Sequence, residues 1–179
     1  REGVALGQSA SIVNSAIAGE DSVTFVQSDN NNVVLGDRAV ISGQNVVIWA
    51  TDQDGTQGGS VIFGDDSRIE VDSDTGTFEL RAFNDVFVEN RFTAQSQSLV
   101  TFETITGDIA LGEEAKLISG GDLTMNAGRD ISLGNGAQIV TSMGLRSTTP
   151  PSSPASPTAS WRASSGAAAG NPASSRAAT

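Results

Sequence analysis

Short apolar triplets recur along the first 144 residues of the chain. Each has apolar first and third residues and, in all copies but one, a glycine directly after it, as in "VVLGDRAVI" and "ISLGNGAQI". The copies begin at Val4, Val33, Val61, Val86, Ile109 and Ile131. Successive starts are 29, 28, 25, 23 and 22 residues apart. Short alternating runs are typical of strands with one buried face, and a period in this range is typical of a solenoid.

Each of the first five repeats also contains a longer alternating stretch: "SVTFV", "NVVIWA", "TFELRA", "LVTFE" and "DLTMNA". The inward-facing pairs are predicted to be Val23/Phe25, Val46/Ile48, Phe78/Leu80, Val100/Phe102 and Leu123/Met125. With the run that follows each glycine, this gives three short strands per repeat. The sequence therefore predicts an all-β parallel β-helix of about six rungs over residues 1–144.

Stacked rungs place matching residues in columns about 4.8 Å apart. One predicted column contains Leu6, Leu35, Phe63, Val88, Leu111 and Leu133. A second column contains the glycines that follow the strands, and Gly36, Gly64, Gly112 and Gly134 are expected to adopt positive φ at a corner. An antiparallel β-sandwich also has short, evenly spaced strands, but it gives no reason for glycine to recur at one phase of a repeat.

The composition changes abruptly after Gly144. In residues 145–179, Ser, Ala, Pro and Thr make up 27 of 35 positions, all five prolines occur there, and no acidic residue does. Such a segment buries too little apolar surface to offset the entropy of ordering it, so a disordered tail is predicted. The alternative explanation is a frameshift, since Ser, Ala, Pro, Arg and Gly are what GC-rich codons give out of frame.

Net charge and amino-acid composition argue against several classes of function. The chain has a net charge of −11, and residues 1–144 contain all 21 acids and seven of the ten basic residues, a net of 7 − 21 = −14. A surface of this sign disfavours nucleic-acid partners. The chain has no Cys and no His, which removes thiol chemistry and the commonest general base. No apolar run is long enough for a membrane span.

Residues 121–139, "GDLTMNAGRDISLGNGAQI", resemble the repeats of filamentous haemagglutinin-type exoproteins. The matching residues are Gly121, Asp122, Leu123, Met125, Ala127, Gly128, Asp130, Ile131 and Leu133. The resemblance is close from 108 to 140 and loose from 4 to 98. It implies a right-handed β-helix within a large secreted or cell-surface bacterial adhesin exported through the outer membrane by two-partner secretion, with further repeats as neighbours. The chain begins with Arg and shows no amino-terminal export domain, so it is expected to be a fragment or processed product.

Two acidic segments are candidate Ca²⁺ sites, because Ca²⁺ takes six to eight oxygen ligands from closely spaced carboxylates and carbonyls. They contribute Asp65 and Asp66, and Asp72 and Asp74, each beside a glycine. Neither Asp72-x-Asp74 nor Asp52-x-Asp54, in a third acidic segment, continues into a calcium-loop motif, and the alternative is a turn in which Asp binds its own backbone. No other cofactor is expected.

A candidate ligand site combines Trp49 with the loop that follows it. Trp49 is expected to face outward, where it could stack on a sugar or pack beneath the loop, and Asp52 and Asp54 lie in that loop. The paired aspartates of "GDDS" also resemble polygalacturonases, but the other motifs of that family are missing, and no residue is assigned as catalytic.

The sequence thus favours a structural and adhesive rod segment, secreted or at the bacterial cell surface. Loops 51–59 and 72–76 would present themselves to a glycan, matrix or host surface. The alternatives are a β-helix polysaccharide lyase or hydrolase, or a spacer without a ligand.

Overall fold

A computed structural model describes residues 3–14, 22–142 and 144–148, and the side chains of 143–146 and 148 are not described. It contains three six-stranded sheets in which every pairing is parallel. The chain visits the three sheets in turn, so one rung has one strand from each sheet. The predicted parallel β-helix is confirmed.

The first sheet is built from three-residue strands: β1 Val4–Leu6, β4 Val33–Leu35, β7 Val61–Phe63, β10 Val86–Val88, β13 Ile109–Leu111 and β16 Ile131–Leu133. The second contains β2 Ser11–Val13, β5 Val40–Gly43, β8 Arg68–Val71, β11 Thr93–Ser96, β14 Lys116–Ser119 and β17 Gln138–Thr141. The third contains β3 Val23–Gln27, β6 Asn45–Ala50, β9 Phe78–Ala82, β12 Val100–Thr104, β15 Asp122–Asn126 and β18 Gly144–Thr148. We call the turns from first to second sheet, second to third and third to first the first, second and third corners.

Every pairing keeps the repeats in register. The pairs Leu6↔Leu35, Leu35↔Phe63, Phe63↔Val88, Val88↔Leu111 and Leu111↔Leu133 form the predicted column. Because each strand alternates inward and outward residues, the inward residues of the three sheets meet in one apolar core along the axis. Within it Phe63 packs on Phe92 with ring centroids 4.6 Å apart, and Phe78 packs edge-on against Phe102 at 5.4 Å.

Four of the five predicted inward pairs are buried, and the pair on β3 is wrong. Val23 and Phe25 are 53% and 49% exposed, whereas Thr24 and Val26 face the core. The reason is the register with β6, which places Thr24 opposite Val46 and Val26 opposite Ile48. "SVTFV" has an apolar residue on either face, so its own alternation could not decide which face is inward.

The glycines after the first-sheet strands do not have positive φ, so that prediction is wrong as well. At the first corner positive φ belongs to a residue two places later: Ser9, Arg38, Asp66, Arg91, Glu114 and Gly136. At Gly36, Gly64, Gly112 and Gly134 the glycine is needed for close approach instead. A Cβ at Gly64 would lie 2.6 Å from the Asp37 nitrogen, and one at Gly134 would lie 2.5 Å from the Gly112 carbonyl carbon.

The coil extends beyond the expected boundary at 144. β18 pairs with β15 through Thr148, four residues into the segment predicted to be a tail. The rest of that segment, 149–179, lies outside the described residues, so its predicted disorder and its reading frame stay predictions.

Candidate functional site

The loop that contains Asp52 and Asp54 forms the third corner between β6 and β7. Thr51 and Gly58 close its base through an antiparallel bridge. The Asp52 carboxylate accepts hydrogen bonds from the Thr56 hydroxyl at 2.6 Å and the Thr56 amide at 2.7 Å. The hydrogen bond from the Thr56 hydroxyl is the main reason that the pKa of Asp52 lies below its usual value, and the bonds from backbone amides lower it further. Asp52 therefore organises its own loop, and Asp54 is exposed beyond it.

Gly55 at the tip of this loop contacts later rungs. It has φ +66°, and a Cβ there would lie 2.9 Å from Ile105 Cδ1 and 3.2 Å from Arg81 Nη2. The loop thus leans along the coil toward Arg81 on β9 and Ile105 after β12. Both its shape and its lean are fixed by contacts, so its outer surface has a defined position.

Trp49 lies on the outer face of β6, as expected. Its indole Nε1 donates to Glu79 Oε1 at 2.9 Å, and its ring meets Phe25 edge-on with centroids 5.3 Å apart. Val47 pairs with Phe25 in the sheet, so Val23, Phe25, Val47 and Trp49 form one outward apolar cluster, which we call the aromatic patch. Sequence reasoning found Trp49 but missed Phe25, because it assigned Phe25 to the core.

The two acidic pairs proposed for Ca²⁺ lie at different corners. Asp65 and Asp66 belong to the first corner, before β8, and Asp72 and Asp74 to the second corner, after β8. The whole of β8 separates the pairs, at about 3.3 Å per residue. Among the described residues no group of three or more His, Cys, Asp or Glu is placed to hold a metal ion.

Asp65 and Asp66, the pair at the first corner, accept hydrogen bonds from residues of the next rung. Arg91 Nε and Nη2 donate to the two oxygens of Asp66 at 2.7 and 2.9 Å, and Asp65 Oδ1 accepts the Asn90 amide at 2.9 Å. The Arg91 hydrogen bond is the main reason that the pKa of Asp66 lies below its usual value. At the second corner Asp72 and Asp74 are exposed, and the turn closes from the Gly76 amide to the Ser73 carbonyl at 3.1 Å.

A polar ladder that sequence reasoning missed runs along the third corner. Its members directly precede the first-sheet strands: Asn32, Ser60, Asp85, Asp108 and Asp130. Each of the first four accepts the backbone amide of the next member, at 2.9, 3.3, 2.9 and 3.0 Å. Arg129 Nη2 donates to Asp85 and Asp108 at 3.3 and 3.2 Å. The sequence could have predicted this ladder, because the residue directly before each repeat is polar in five of the six copies.

A shallow groove of about 440 Å³ lies beside this ladder at the amino-terminal end of the coil. Its polar lining is uncharged and comes from Asn30, Asn31, Asn32 and Asn84. Its lining also includes Gly58 and Gly59, which belong to the loop of Asp52, and the apolar residues Val4, Ala5 and Val34. Side-chain amides beside an apolar wall can bind neutral polyhydroxyl ligands through paired donors and acceptors.

Comparison of the chain with protein-family models, with curated proteins and with solved structures returned no match. Within the described part of the chain no helix is long and apolar enough to cross a bilayer. The resemblance to haemagglutinin-type repeats therefore stays a prediction from the sequence.

Proposed function

We propose that this chain is a structural and adhesive segment of a rod-shaped bacterial exoprotein, secreted or held at the cell surface. The observation that carries the proposal is the in-register stacking of six rungs around one continuous core. Each rung adds about 4.8 Å of length, and every inner strand is paired on both sides. Such a coil is stiff along its axis and holds its corners at fixed spacing.

The ligand surface that we favour is the third corner near the amino-terminal end. It brings together the loop 51–59, including Asp54, and the asparagine-lined groove. The aromatic patch with Trp49 lies on the third sheet, which leads into this corner. Uncharged amides and an exposed aromatic edge suit a neutral glycan better than a polyanion, which the surrounding acids would repel.

The proposal is tested by binding of the full chain to immobilised neutral glycans and matrix proteins. Asn30→Ala/Asn84→Ala removes two groove amides, and Trp49→Ala removes the aromatic platform. Val140→Ala is the matched control, because Val140 is 41% exposed on the outer face of the second sheet. Binding that falls at least about tenfold in the first two variants and stays unchanged in the third supports the proposal. Equal binding in all four proteins would overturn the site, and no binding to any surface would leave the spacer function.

The competing function is a polysaccharide lyase or hydrolase. The full chain is incubated with pectin and alginate, with and without Ca²⁺, and assayed for new reducing ends and unsaturated products. We expect no turnover. Sustained product formation that scales with protein concentration would replace the adhesive function by an enzymatic one.

A further inference from the structure

The outer face of the first sheet is apolar over its first five strands. Each of its strands has three residues, and the central residue points away from the core. Sheet pairing aligns these residues in one column, which ends at Ser132 and whose first five members we call the apolar strip: Ala5, Val34, Ile62, Phe87 and Ala110. Phe87 is 42% exposed, and Val34, Ile62 and Ala110 are half-buried. No charged side chain interrupts the column.

This is not a general property of the coil. The outer face of the second sheet contains Arg68, Glu70 and Lys116, and that of the third contains Glu79, Arg81 and Glu103. The aromatic patch on the third sheet spans only β3 and β6. An apolar surface that continues over five strands is typical of a surface that meets a partner.

Acidic residues border the strip on both sides. The third-corner border has Asp85, Asp108 and Asp130, and the first-corner border has Asp37, Asp65, Asp66, Glu89, Glu113 and Glu114. In the described part of these borders, the basic residues among the nine acids are Arg38, Arg91 and Arg129, a net of 3 − 9 = −6. A partner must therefore be apolar along its centre and basic along both edges.

We propose that the apolar strip binds an amphipathic α-helix from a partner protein, with an aliphatic ridge bordered on both sides by Lys or Arg. A helix fits better than an extended peptide, because strands within the sheet already use their backbone groups and a helix satisfies its own. Four strand spacings give about 19 Å from Ala5 to Ala110, the length of about 13 helical residues.

Two other occupants fit the strip less well. A second copy of the same face would bring two acidic borders together. Residues 149–179 are basic but include one large apolar residue, Trp161, which cannot cover the ridge formed by Val34, Ile62 and Phe87. The proposal goes beyond the glycan-binding one, and Phe87, the residue that tests it, does not line the asparagine groove.

The test uses the full chain and a synthetic amphipathic peptide of about 18 residues, with Leu along one face and Lys on both borders. A second peptide has Glu in place of every Lys. We expect the Lys peptide to bind and to become helical when bound, as measured by circular dichroism. Its affinity should fall in about 0.5 M salt. We expect the Glu peptide to bind at least about tenfold more weakly.

The variant that addresses the strip is Phe87→Glu, and its control is Val140→Glu, which places the same charge on an equally exposed apolar residue of the second sheet. Melting curves establish that both variants fold. Phe87→Glu is expected to lower the affinity for the Lys peptide at least about tenfold, and Val140→Glu is expected to leave this affinity unchanged. No binding of the Lys peptide at about 1 mM, equal binding of both peptides, or equal loss in both variants overturns the proposal.

The same proteins distinguish the partner helix from the two other occupants, a second copy and the chain's own residues 149–179. Sedimentation of the chain alone that shows a dimer lost in Phe87→Glu would identify a second copy and overturn the helix proposal. Lys-peptide affinity that rises at least about tenfold in Trp161→Ala/Arg162→Ala would identify the chain's own carboxy-terminal segment, with the same consequence. A monomer with unchanged peptide affinity in that variant supports the partner helix.

Discussion

Each first-corner turn has one residue with positive φ, in the left-handed region, and these six residues share no side-chain type. Its φ is 58° at Ser9, 57° at Arg38, 58° at Asp66, 56° at Arg91 and 57° at Glu114, and Gly136 in the last rung has 72°. The amide three residues after the glycine closes the turn, as from Ala39 to Gly36 at 3.1 Å. Positive φ at the third residue of such a turn is typical of type II and favours glycine. Five non-glycine residues therefore carry backbone strain that stacking of the turns maintains.

Glu114→Gly should stabilise the protein. Removing the side chain relieves about 1–2 kcal/mol of left-handed strain, and the added freedom of the unfolded chain takes back about 0.5–1 kcal/mol. The loss of the attraction between Glu114 and Arg91 reduces the gain further. We expect a small rise in the urea midpoint with an unchanged slope.

The reverse change one rung later is the control. Gly136→Ala has room for its Cβ, whose nearest neighbour is Glu114 Cγ at 3.5 Å, so only the φ of 72° opposes it. The midpoint should fall by a comparable amount. A fall for Glu114→Gly, or a rise for Gly136→Ala, would show that φ does not limit stability at this turn.

These positions also show why sequence reasoning found the corner but assigned its residues wrongly. The glycine column was visible, and glycine commonly indicates positive φ. Here glycine recurs because the chain of the neighbouring rung leaves no space for a Cβ, as at Gly64. The left-handed position contains Ser, Arg, Asp, Arg, Glu and Gly, a set without a common property to detect.

Among the strands, the local pattern sufficed when one parity was clearly more apolar. β9, β12 and β15 each have apolar residues at alternate positions, and their inward residues were predicted correctly. β3 has Val23, Phe25 and Val26, and only pairing with β6 selects Val26 for the core. The surplus apolar residues on its outer side become the aromatic patch around Trp49, so the error concealed part of a candidate site.

Asp66 and Arg91 connect the turns before β8 and β11, and this ion pair predicts a pH dependence. The hydrogen bond from Arg91 holds the pKa of Asp66 in the folded protein below its usual value. A lowered folded pKa contributes stability that is fully present above the unfolded pKa and is lost as pH falls through the folded pKa. Asp66→Asn, which tolerates positive φ, should therefore be less stable than the native chain at neutral pH.

The measurement is the urea midpoint of both proteins from pH 7 to pH 2.5. The difference between them should be constant at higher pH, begin to shrink near the unfolded pKa of about 3.9, and continue to shrink toward pH 2.5. Arg91→Gln in both backgrounds provides the control, since without Arg91 only the weaker attraction of Arg38 remains and the two curves should lie much closer together. A difference that stays constant from pH 7 to pH 2.5 would assign the effect to packing.

For the coil as a whole, neighbours along the axis are separated by a full repeat in sequence. Asp85, Asp108 and Asp130 follow one another in the polar ladder at offsets of 23 and 22 residues. Asp66 and Asp72, six residues apart, lie at opposite ends of β8 and at different corners. The repeat period was therefore enough to predict the fold, whereas acidic residues grouped by nearness in sequence did not predict a cluster in space.

The continuous core predicts that damage to one rung spreads along the axis. Phe63 is fully buried and packs on Phe92 in the next rung, so Phe63→Ala should lower the free energy of unfolding by about 3–5 kcal/mol. Phe87→Ala removes the same ring from the outer face of the adjacent strand, where 42% of the residue is exposed, and should cost well under half as much.

Rungs that share a core should also unfold together, because no rung buries its own apolar residues alone. In a Trp161→Phe background Trp49 is the single tryptophan and reports on the second rung, while far-ultraviolet circular dichroism reports on all three sheets. For Phe63→Ala we expect both signals to change at the same, lowered urea concentration. A Trp49 transition that kept the native midpoint while the dichroism shifted would mean that the second rung is stable without the third, and the coil would then be a chain of independent units.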